Sequence, residues 1–314
     1  MSLPDVTEKW TNNILQVTLG TEPNQVTIGG HTSLPFLHFE GETPNKTYVA
    51  MEIIDVEPAD WESVMTEQFG DAIKNPADWA KKCVDDFGAE MICLSLYGIH
   101  PDFGDLSAEH AVDVAKSVSD AVDVPLIIWG CGDNDKDNTV LPAIAEALKG
   151  KNVLLGSAAE DNYKTLVAAC QMGGHNMITE SPLDINIAKQ VNILVSDSGF
   201  PLDRVVMYPT TGALGYGLEY AYSIMERGRL AALGGDKMMS CPVICRVGTE
   251  VTRVKEAKAS IEEQPTWGPV DKREPMWEAM TASALLMAGA DIMILRNPKA
   301  VEIIKNMVAD LMKK

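Results

Sequence analysis

The 314-residue chain lacks the cysteine and histidine spacings that hold metal clusters. Its six cysteines include no C-x-x-C pair, and the nearest two, Cys241 and Cys245, are separated by three residues. Its five histidines include no pair at the i, i+4 spacing of a helical zinc site. The spacing therefore excludes four-cysteine zinc and iron–sulfur sites. Scattered thiols in a chain of this size are typical of a reduced cytosolic protein.

Basic residues and long apolar runs are also scarce. The chain has 26 Lys and Arg against 45 Asp and Glu, which gives a net charge of −19. Because an acidic chain is repelled by nucleic acid and by anionic lipid, neither is expected as a partner. No run of about 18 apolar residues could span a membrane, and residues 1–5 lack the basic and apolar regions of a signal peptide. We therefore expect a cytoplasmic protein.

The negative charge is concentrated in one part of the chain. Residues 51–123 contain 17 acidic and 4 basic side chains, a net charge of −13, and the remaining residues supply −6. Such a segment forms either an ordinary solvated face on surface helices or a surface that selects protein partners by their charge.

Short apolar runs alternate with longer amphipathic segments along most of the chain. The apolar runs predict β-strands at 48–55, 91–97, 125–130, 152–157, 175–179, 204–208, 242–247 and 291–295. The amphipathic segments predict helices at 75–87, 107–122, 140–149, 163–172, 182–196, 218–233, 276–288 and 299–312. Eight such units with continuously apolar strands predict the α/β class and a (β/α)8 TIM barrel.

A doubly wound open sheet is the alternative fold, but it requires a G-x-G-x-x-G turn after its first strand. Residues 54–58 read Ile-Asp-Val-Glu-Pro, so that turn is absent. Ahead of the barrel, segments 14–19 and 25–28 flank a turn and predict a β-hairpin that closes the barrel bottom. We therefore expect an N-terminal hairpin and lead-in over 1–46 and a barrel over 47–314.

Function in such barrels gathers at the carboxyl ends of the strands. The segments that follow the predicted strands are rich in Gly, Ser, Thr and Asn but poor in nucleophile–base sets. Hydroxyls and amides bond to the amide and carbonyl edges of a ligand, and glycine lets the backbone approach a flat one closely. This composition indicates either ordinary turns or a site that holds a large polar cofactor. A separate interpretation of Asp133 and Asn134 is that they pair with the edge of a pterin-like ring.

Other features of the sequence have simpler interpretations. Cys131 follows a strand, but neighbouring carboxylates oppose its ionisation, so we expect a small packed residue. His175 opens a strand at the barrel bottom and is expected to be structural. A loop of about 28 residues is predicted over 248–275, longer than most structureless connections, and its Trp267 is either a partner or ligand anchor or a packed side chain.

Four segments resemble one protein family. They are 156–164 (GSAAEDNYK), 184–190 (DINIAKQ), 209–217 (PTTGALGYG) and 277–295. Together they resemble the small (delta) subunit of the corrinoid iron–sulfur protein of the acetyl-CoA decarbonylase/synthase (CO dehydrogenase/acetyl-CoA synthase) complex. The resemblance extends from about residue 47 to residue 298.

The resemblance implies a TIM barrel that is not catalytic alone and that pairs with a large (gamma) subunit. In that family the large subunit carries the [4Fe–4S] cluster and a mobile cobalamin-binding domain, and the corrinoid lies against the top of the small barrel. The methyl group comes from methyltetrahydrofolate or a related pterin through a methyltransferase. It passes to acetyl-CoA synthase/CO dehydrogenase in the reductive acetyl-CoA (Wood–Ljungdahl) pathway. This chain has no D-x-H-x-x-G cobalamin loop, so the resemblance leaves it to cover one face of the corrinoid.

The resemblance also implies which residues bind the cofactor through hydrogen bonds to corrin amides and close backbone packing. These candidates are Ser157, Thr179, Glu180, Thr210, Thr211, Gly212 and Gly215, with Asp133 and Asn134 as weaker ones. No catalytic or metal-binding residue is expected. A self-sufficient pterin-dependent corrinoid methyltransferase is the alternative function.

Overall fold

The computed structural model describes residues 7–59 and 61–313. Within them, an antiparallel hairpin of β1 (Gln16–Leu19) and β2 (Val26–Gly29) precedes an eight-stranded parallel sheet. The strands of that sheet are β3 (Tyr48–Ile54), β4 (Met91–Ser95), β5 (Leu126–Trp129), β6 (Leu154–Ala158), β7 (Asn176–Glu180), β8 (Val205–Tyr208), β9 (Ile244–Arg246) and β10 (Ile292–Leu295). All eight predicted strands are confirmed, because each apolar run is buried on both faces of the sheet.

The parallel strands form a nearly closed barrel. Their order is β8-β7-β6-β5-β4-β3-β10-β9, and the gap between β8 and β9 is bridged by Met207 and Val243. The Met207 backbone N–H also donates to the Pro242 carbonyl at 2.7 Å. The predicted (β/α)8 TIM barrel is therefore confirmed, and the carboxyl ends of all eight strands lie at one end of the barrel.

Helices cover the outside of the sheet. The longer ones are α2 (Pro76–Asp85), α3 (Ala108–Ala121), α4 (Asn134–Ala147), α5 (Tyr163–Gly173), α6 (Ile185–Asp197), α7 (Leu218–Leu233), α10 (Val270–Ala288) and α11 (Pro298–Leu311). The shorter ones are α1 (Ser63–Phe69), α8 (Val247–Val251) and α9 (Lys255–Lys258). Asn75 and Ser107 are the N-caps of α2 and α3, because each side chain accepts a hydrogen bond from the first turn of its helix.

Two helices begin earlier than the sequence predicts. Helix α4 begins at Asn134 instead of residue 140, because the Asp133 side chain accepts a hydrogen bond from the Lys136 N–H at 2.9 Å and caps a polar first turn. Helix α10 begins at Val270 instead of residue 276 and continues through Pro275. The predicted loop over 248–275 is also wrong in part, because α8, α9, a 3-10 turn at Pro265–Trp267 and the start of α10 together occupy most of it.

The hairpin closes the amino-terminal end of the barrel, as predicted. Its Val17, Leu19 and Ile28 side chains pack into the apolar interior of the barrel. Amide side chains at the bottoms of two strands fix it there, since Asn152 and Asn176 each donate to the Thr18 carbonyl at 2.9 Å. The hairpin therefore covers the barrel axis at its amino-terminal end. No described helix is long and apolar enough to cross a membrane.

Candidate functional site

A buried ion-pair cluster fills the barrel axis just below the carboxyl ends of the strands. Glu52 of β3 is fully buried and accepts hydrogen bonds from the Arg246 Nη2 and the Arg296 Nε, both at 2.7 Å. The Ser95 hydroxyl at 2.6 Å and the Thr249 hydroxyl at 2.7 Å complete its shell. Four donors, from β4, β9, α8 and the residue that directly follows β10, therefore converge on one carboxylate, and we call these five residues the axial cluster.

Aromatic rings cover the two guanidinium groups of the axial cluster. Arg246 lies 4.5 Å from the ring centroid of Trp129, which meets Tyr208 edge-on at a centroid distance of 4.8 Å. Arg296 lies 4.6 Å from the ring centroid of Trp61. Cation–π contacts of this kind stabilise desolvated cations. The top of the barrel axis is consequently filled by these charged and aromatic side chains.

The electrostatics of the axial cluster follow from its charges. Burial alone would raise the pKa of Glu52, but the Arg296 and Arg246 guanidinium groups outweigh it and hold that pKa far below its usual range. The same carboxylate raises the pKa of both arginines against the opposing effect of burial. Glu52 is therefore an anion that offsets part of the positive charge of the two arginines, which distinguishes it from a general base with a pKa near neutrality.

A polar rim lies at the ends of four adjacent strands, β5 to β8. There the Ser157 hydroxyl donates a hydrogen bond to the Glu180 carboxylate. The Asn162 side chain supports this pair, because its Nδ2 donates to the Ser157 carbonyl at 3.1 Å. Ser157 and Glu180 are both half-buried, so the structure brings these two candidates together with part of each accessible from outside.

Thr179 does not belong to the accessible part of this rim. Its side chain is buried and donates to the Asn192 Oδ1 at 2.9 Å, on helix α6 outside the barrel. Successive residues of a strand point to opposite faces, so Glu180 faces the barrel interior and Thr179 faces the helix layer. The expectation that Thr179 bonds to a cofactor is therefore not supported by its position.

The loop after β8 contains four of the candidates in different environments. Thr210 is half-buried and its hydroxyl donates to the Ser181 carbonyl at 2.7 Å. Thr211 is buried, and its hydroxyl accepts from the Arg246 backbone N–H at 3.0 Å. At Gly212 a Cβ would meet the Gly217 carbonyl oxygen at 2.3 Å, so the loop folds back on itself there.

Gly215 is the most exposed candidate in this loop. It has a φ of +80°, a conformation that favours glycine, and a Cβ added there would meet only Trp277, at 3.9 Å. The Trp277 indole donates to the Leu214 carbonyl at 3.0 Å and holds the loop from below. Gly215 therefore presents backbone to the outside, whereas Thr211 and Gly212 shape the loop from within.

The two weaker candidates lie at the start of α4. Asn134 is exposed, and Asp133 is half-buried in its capping role. Behind them, buried Asp137 accepts hydrogen bonds from the backbone N–H groups of Cys131 at 2.9 Å and Gly132 at 3.0 Å. The loop is thus held by an internal carboxylate, which leaves Asn134 free to face a ligand.

A cavity of about 730 Å³ opens in the other half of the barrel top, beside the ends of β3, β4 and β10. Trp61, Met65 and Leu106 line it on one side, and Arg296 of the axial cluster borders it. Glu274 of α10 also lines this cavity and is 2% exposed. Burial, reinforced by the neighbouring charge of Glu62, raises the pKa of Glu274 to about 7.

The residues of the axial cluster and the cavity were not among the sequence candidates. A signal for the cluster was present, because Glu52 interrupts an otherwise apolar strand and Arg246 and Arg296 end two others. Charged residues in a strand buried on both faces require buried partners. The sequence does not say which strands would pair them, since positions 52 and 296 are brought together only by closure of the barrel.

Cys131 and His175 have structural roles, as the sequence predicts. Burial raises the pKa of the Cys131 thiol to about 12, with Asp137 adding to the shift, so this cysteine is not a reactive thiolate. His175 is buried and bonds with the Ala145 carbonyl at 2.8 Å while accepting from the Val153 N–H at 3.3 Å. Among residues 7–59 and 61–313, no three His, Cys, Asp or Glu side chains are grouped to hold a metal ion.

These features define a class: a TIM barrel whose axis is closed by ion pairs and whose carboxyl end carries a polar rim without a nucleophile–base set. Comparison with known proteins is more specific. The family model described as CO dehydrogenase/acetyl-CoA synthase delta subunit matches residues 16–310. The chain belongs to this family.

Individual relatives agree with the family match. The chain is 36% identical to the acetyl-CoA decarbonylase/synthase complex subunit delta of Archaeoglobus fulgidus, over 95% of this chain and 68% of the relative. It is 35% identical to the subunit of the same name from Methanocaldococcus jannaschii, over 95% of this chain and 74% of the relative.

Solved structures share the fold. Dihydropteroate synthase of Xanthomonas albilineans with 4-aminobenzoic acid has a TM-score of 0.61 and 12% identity, over 95% of this chain and 99% of the other. Dihydropteroate synthase of Thermus thermophilus has a TM-score of 0.54 and 14% identity, over 89% of this chain and 100% of the other. At such low identity the likeness extends to the barrel alone.

The family match corrects the identification drawn from the sequence motifs. The motifs alone indicate the small (delta) subunit of the corrinoid iron–sulfur protein of this complex. The family model and the relatives identify the delta subunit of acetyl-CoA decarbonylase/synthase, and its description as the small subunit is wrong. The small-subunit assignment is therefore not retained.

Proposed function

We propose that this chain acts within an acetyl-CoA decarbonylase/synthase complex, in the Wood–Ljungdahl pathway, as a covering subunit for a corrinoid that a partner subunit holds. Membership of the delta-subunit family supports the complex and the pathway. The polar rim at the ends of β5 to β8 supports the covering role. The observation that carries the proposal is that accessible polar groups line four adjacent strand ends while the axis beside them is closed.

The residues present fit one face of a corrinoid. A corrinoid is a wide, flat ring with amide side chains, which need hydrogen-bond donors and acceptors around a surface that allows close approach. The accessible candidates supply a hydroxyl, a carboxylate, an amide and exposed glycine backbone; they are Ser157, Glu180, Thr210, Gly215, Asp133 and Asn134. When bound, the corrinoid cobalt carries the methyl group. This chain would orient the ring and exclude water from one face.

The cysteines of this chain do not fit an iron–sulfur cluster. Five of the six cysteines are buried, and burial raises the pKa of each thiol. Cluster ligation requires grouped thiolates, so the [4Fe–4S] cluster belongs to the partner subunit in this proposal. The other partners proposed are a methyltetrahydrofolate (or related pterin) methyltransferase and the acetyl-CoA synthase/CO dehydrogenase subunits.

Corrinoid retention by the complex tests the proposal. The chain is co-expressed with its corrinoid-binding partner, and bound corrinoid is measured from the absorbance of the purified complex. Asn134→Ala combined with Ser157→Ala should lower retention, because both side chains lie on the rim. Glu146→Ala is the matched control, because Glu146 is exposed near the far end of the same helix α4. Unchanged retention in the double variant would refute the rim assignment.

The alternative function is a self-sufficient pterin-dependent methyltransferase. It requires a site for the pterin ring at the barrel mouth beside Asp133 and Asn134. The axial cluster and its aromatic cover fill the axis, and neither Asp133 nor Asn134 lines the cavity beside β3, β4 and β10. The geometry therefore favours the covering role. Titration of the isolated chain with methyltetrahydrofolate separates the two: tight binding that Asn134→Ala abolishes would support the methyltransferase.

A further inference from the structure

The cavity beside β3, β4 and β10 is separate from the polar rim. The rim occupies the ends of β5 to β8, and the cavity lies in the opposite half of the barrel top, where α9 and α10 border it. Its volume of about 730 Å³ falls within the range of about 300–1,000 Å³ that small-molecule sites occupy. The proposed covering function leaves it unused.

One side chain that lines the cavity has a buried carboxylate oxygen without a hydrogen-bond partner among the described residues. Glu274 is 2% exposed, and its Oε2 is buried without a hydrogen-bond partner in the described part of the chain. A buried polar oxygen without a partner is costly. A hydrogen-bond donor on a ligand within the cavity would supply the missing bond.

The charges around the cavity favour a cationic ligand. Two of the lining cations already have partners: Arg296 pairs with Glu52 at 2.7 Å, and Arg253 pairs with Glu250 at 2.9 Å. Lys258 then faces three lining carboxylates, those of Glu57, Glu62 and Glu274. With all three ionised, these four groups sum to −2. Because Glu52 is shared by Arg246 and Arg296, the axial cluster beside them adds +1, and the total charge stays negative at −1.

The cavity also has apolar lining residues. Ile54, Met65 and Leu106 line it together with the Trp61 ring, whose centroid lies 4.6 Å from the Arg296 guanidinium. Such a lining gains free energy when it covers an apolar ring, because apolar surface is removed from water. The cavity thus combines apolar and acidic lining residues.

We propose that this cavity binds a small organic cation with an apolar body, an amine or amidine whose N–H groups bond to Glu274. Its ring lies against Trp61 and Met65, and Glu62 supplies a second negative charge near the cationic group. The site is a further binding site of this chain, and it does not depend on the corrinoid role.

Benzamidine, benzamide and benzoate form a matched series of probes, because they share a ring and differ in charge. Titration of the full chain by calorimetry at pH 8 should give the tightest binding for benzamidine and no detectable binding for benzoate. Benzoate binding as well as benzamidine, or the absence of binding by all three, would overturn the proposal.

Substitution of the carboxylate locates the site. Glu274→Gln should weaken benzamidine about tenfold, which corresponds to about 1.4 kcal/mol, and should leave benzamide nearly unchanged. Glu302→Gln is the control, because Glu302 is exposed on α11 and does not line the cavity. A Glu274→Gln chain that binds benzamidine like the parent, and that unfolds at the same temperature, would contradict the assignment.

The pH dependence provides an independent readout. Burial and Glu62 raise the pKa of Glu274 to about 7, opposed by Lys258 and Arg296, and buried Glu278 lies nearby on the same helix. Benzamidine stays cationic between pH 6 and 8, whereas Glu274 changes from mostly neutral to mostly ionised. Its affinity should therefore rise across this interval in the parent and stay flat in Glu274→Gln. A flat parent profile would count against the proposal.

Discussion

Replacing Glu52 with Gln should destabilise the barrel by removing the only negative charge that offsets two buried guanidinium groups within the axial cluster. Glu52 accepts four hydrogen bonds, two of them from Arg246 and Arg296 at 2.7 Å. Removing one partner from a buried ion pair costs about 3–5 kcal/mol, because the remaining charge stays buried. Native proteins are stable by about 5–15 kcal/mol, so Glu52→Gln should remove a large share of the total.

Urea denaturation followed by circular dichroism measures this effect. The midpoint should fall while the slope with urea is preserved, because the variant and the parent expose similar surface on unfolding. A comparison variant, Glu52→Leu with Arg246→Met and Arg296→Met, removes the whole set of charges. Because apolar replacement of a complete buried ion pair is often nearly neutral, this triple variant should be more stable than Glu52→Leu alone.

Two results would refute the reasoning. A loss below about 1 kcal/mol for Glu52→Gln would place the pair in the range of exposed ion pairs. A triple variant less stable than Glu52→Leu would show that the arginines stabilise the fold through contacts other than Glu52, such as the rings of Trp129 and Trp61.

The dependence of stability on pH in acid provides a second test of Glu52. Because the pKa of Glu52 is far below its usual value of 4.5 in the folded protein, the folded state binds fewer protons than the unfolded one in acid. Its contribution to stability is thus complete above pH 4.5 and is lost as the pH falls below that value. Glu52→Gln should flatten this part of the stability profile.

Three further substitutions test other parts of the structure. Thr211→Val should cost about 1–3 kcal/mol in denaturation, because it leaves the buried Arg246 N–H without its acceptor. Burial raises the pKa of Glu278 to about 8, so the folded state holds an extra proton between pH 4.5 and 8. The stability of the parent protein should therefore fall as the pH rises through this interval. Thermal unfolding should show that Glu278→Gln flattens this dependence on pH. Gly212→Ala should cost about 1–3 kcal/mol, because its Cβ would meet the Gly217 oxygen at 2.3 Å, and it should lower corrinoid retention.

Each of these tests has a control and a contrary outcome. Thr139→Val alters an exposed threonine on α4 and should change stability by less than about 0.5 kcal/mol. Equal effects of Thr211→Val and Thr139→Val would show that the Arg246 N–H has another acceptor. A parent protein whose stability does not fall between pH 5 and 8 would show that Glu278 is ionised throughout. A Gly212→Ala protein with normal stability would show that the loop after β8 can open.

The fold was predictable because its signal is local and repeated. Each strand is a short run of apolar residues, and such a run predicts a strand that is buried on both faces of the sheet. The start of α4 was harder to predict, because Asp133 caps a first turn that reads as a polar loop. The start of α10 was missed for a related reason, since Pro275 within the helix gives the appearance of an end.

The site was predictable only in part. Strand order places Ser157 and Glu180 at the same end of the barrel, but period-two alternation sends Thr179 outward to Asn192. The phase of that alternation is set by barrel closure, which a single sequence does not reveal. For the same reason Glu52, Arg246 and Arg296, which are far apart in the sequence, could not be assigned to one cluster beforehand.

The axial cluster connects the two halves of the barrel top by an unbroken series of hydrogen bonds. In the rim half, Thr211 accepts from the Arg246 N–H, and the Arg246 guanidinium donates to Glu52. In the cavity half, Glu52 accepts from Arg296, whose own backbone N–H donates to Glu278 at 2.6 Å. Because Glu278 lies one helical turn from Glu274 on α10, the rim loop and the acidic lining of the cavity rest on the same framework. Because the axial cluster fills the barrel axis, no ligand site can form at the centre of the barrel top. The same cluster forms a rigid, hydrogen-bonded support for the rim and for the cavity, which can bind ligands separately.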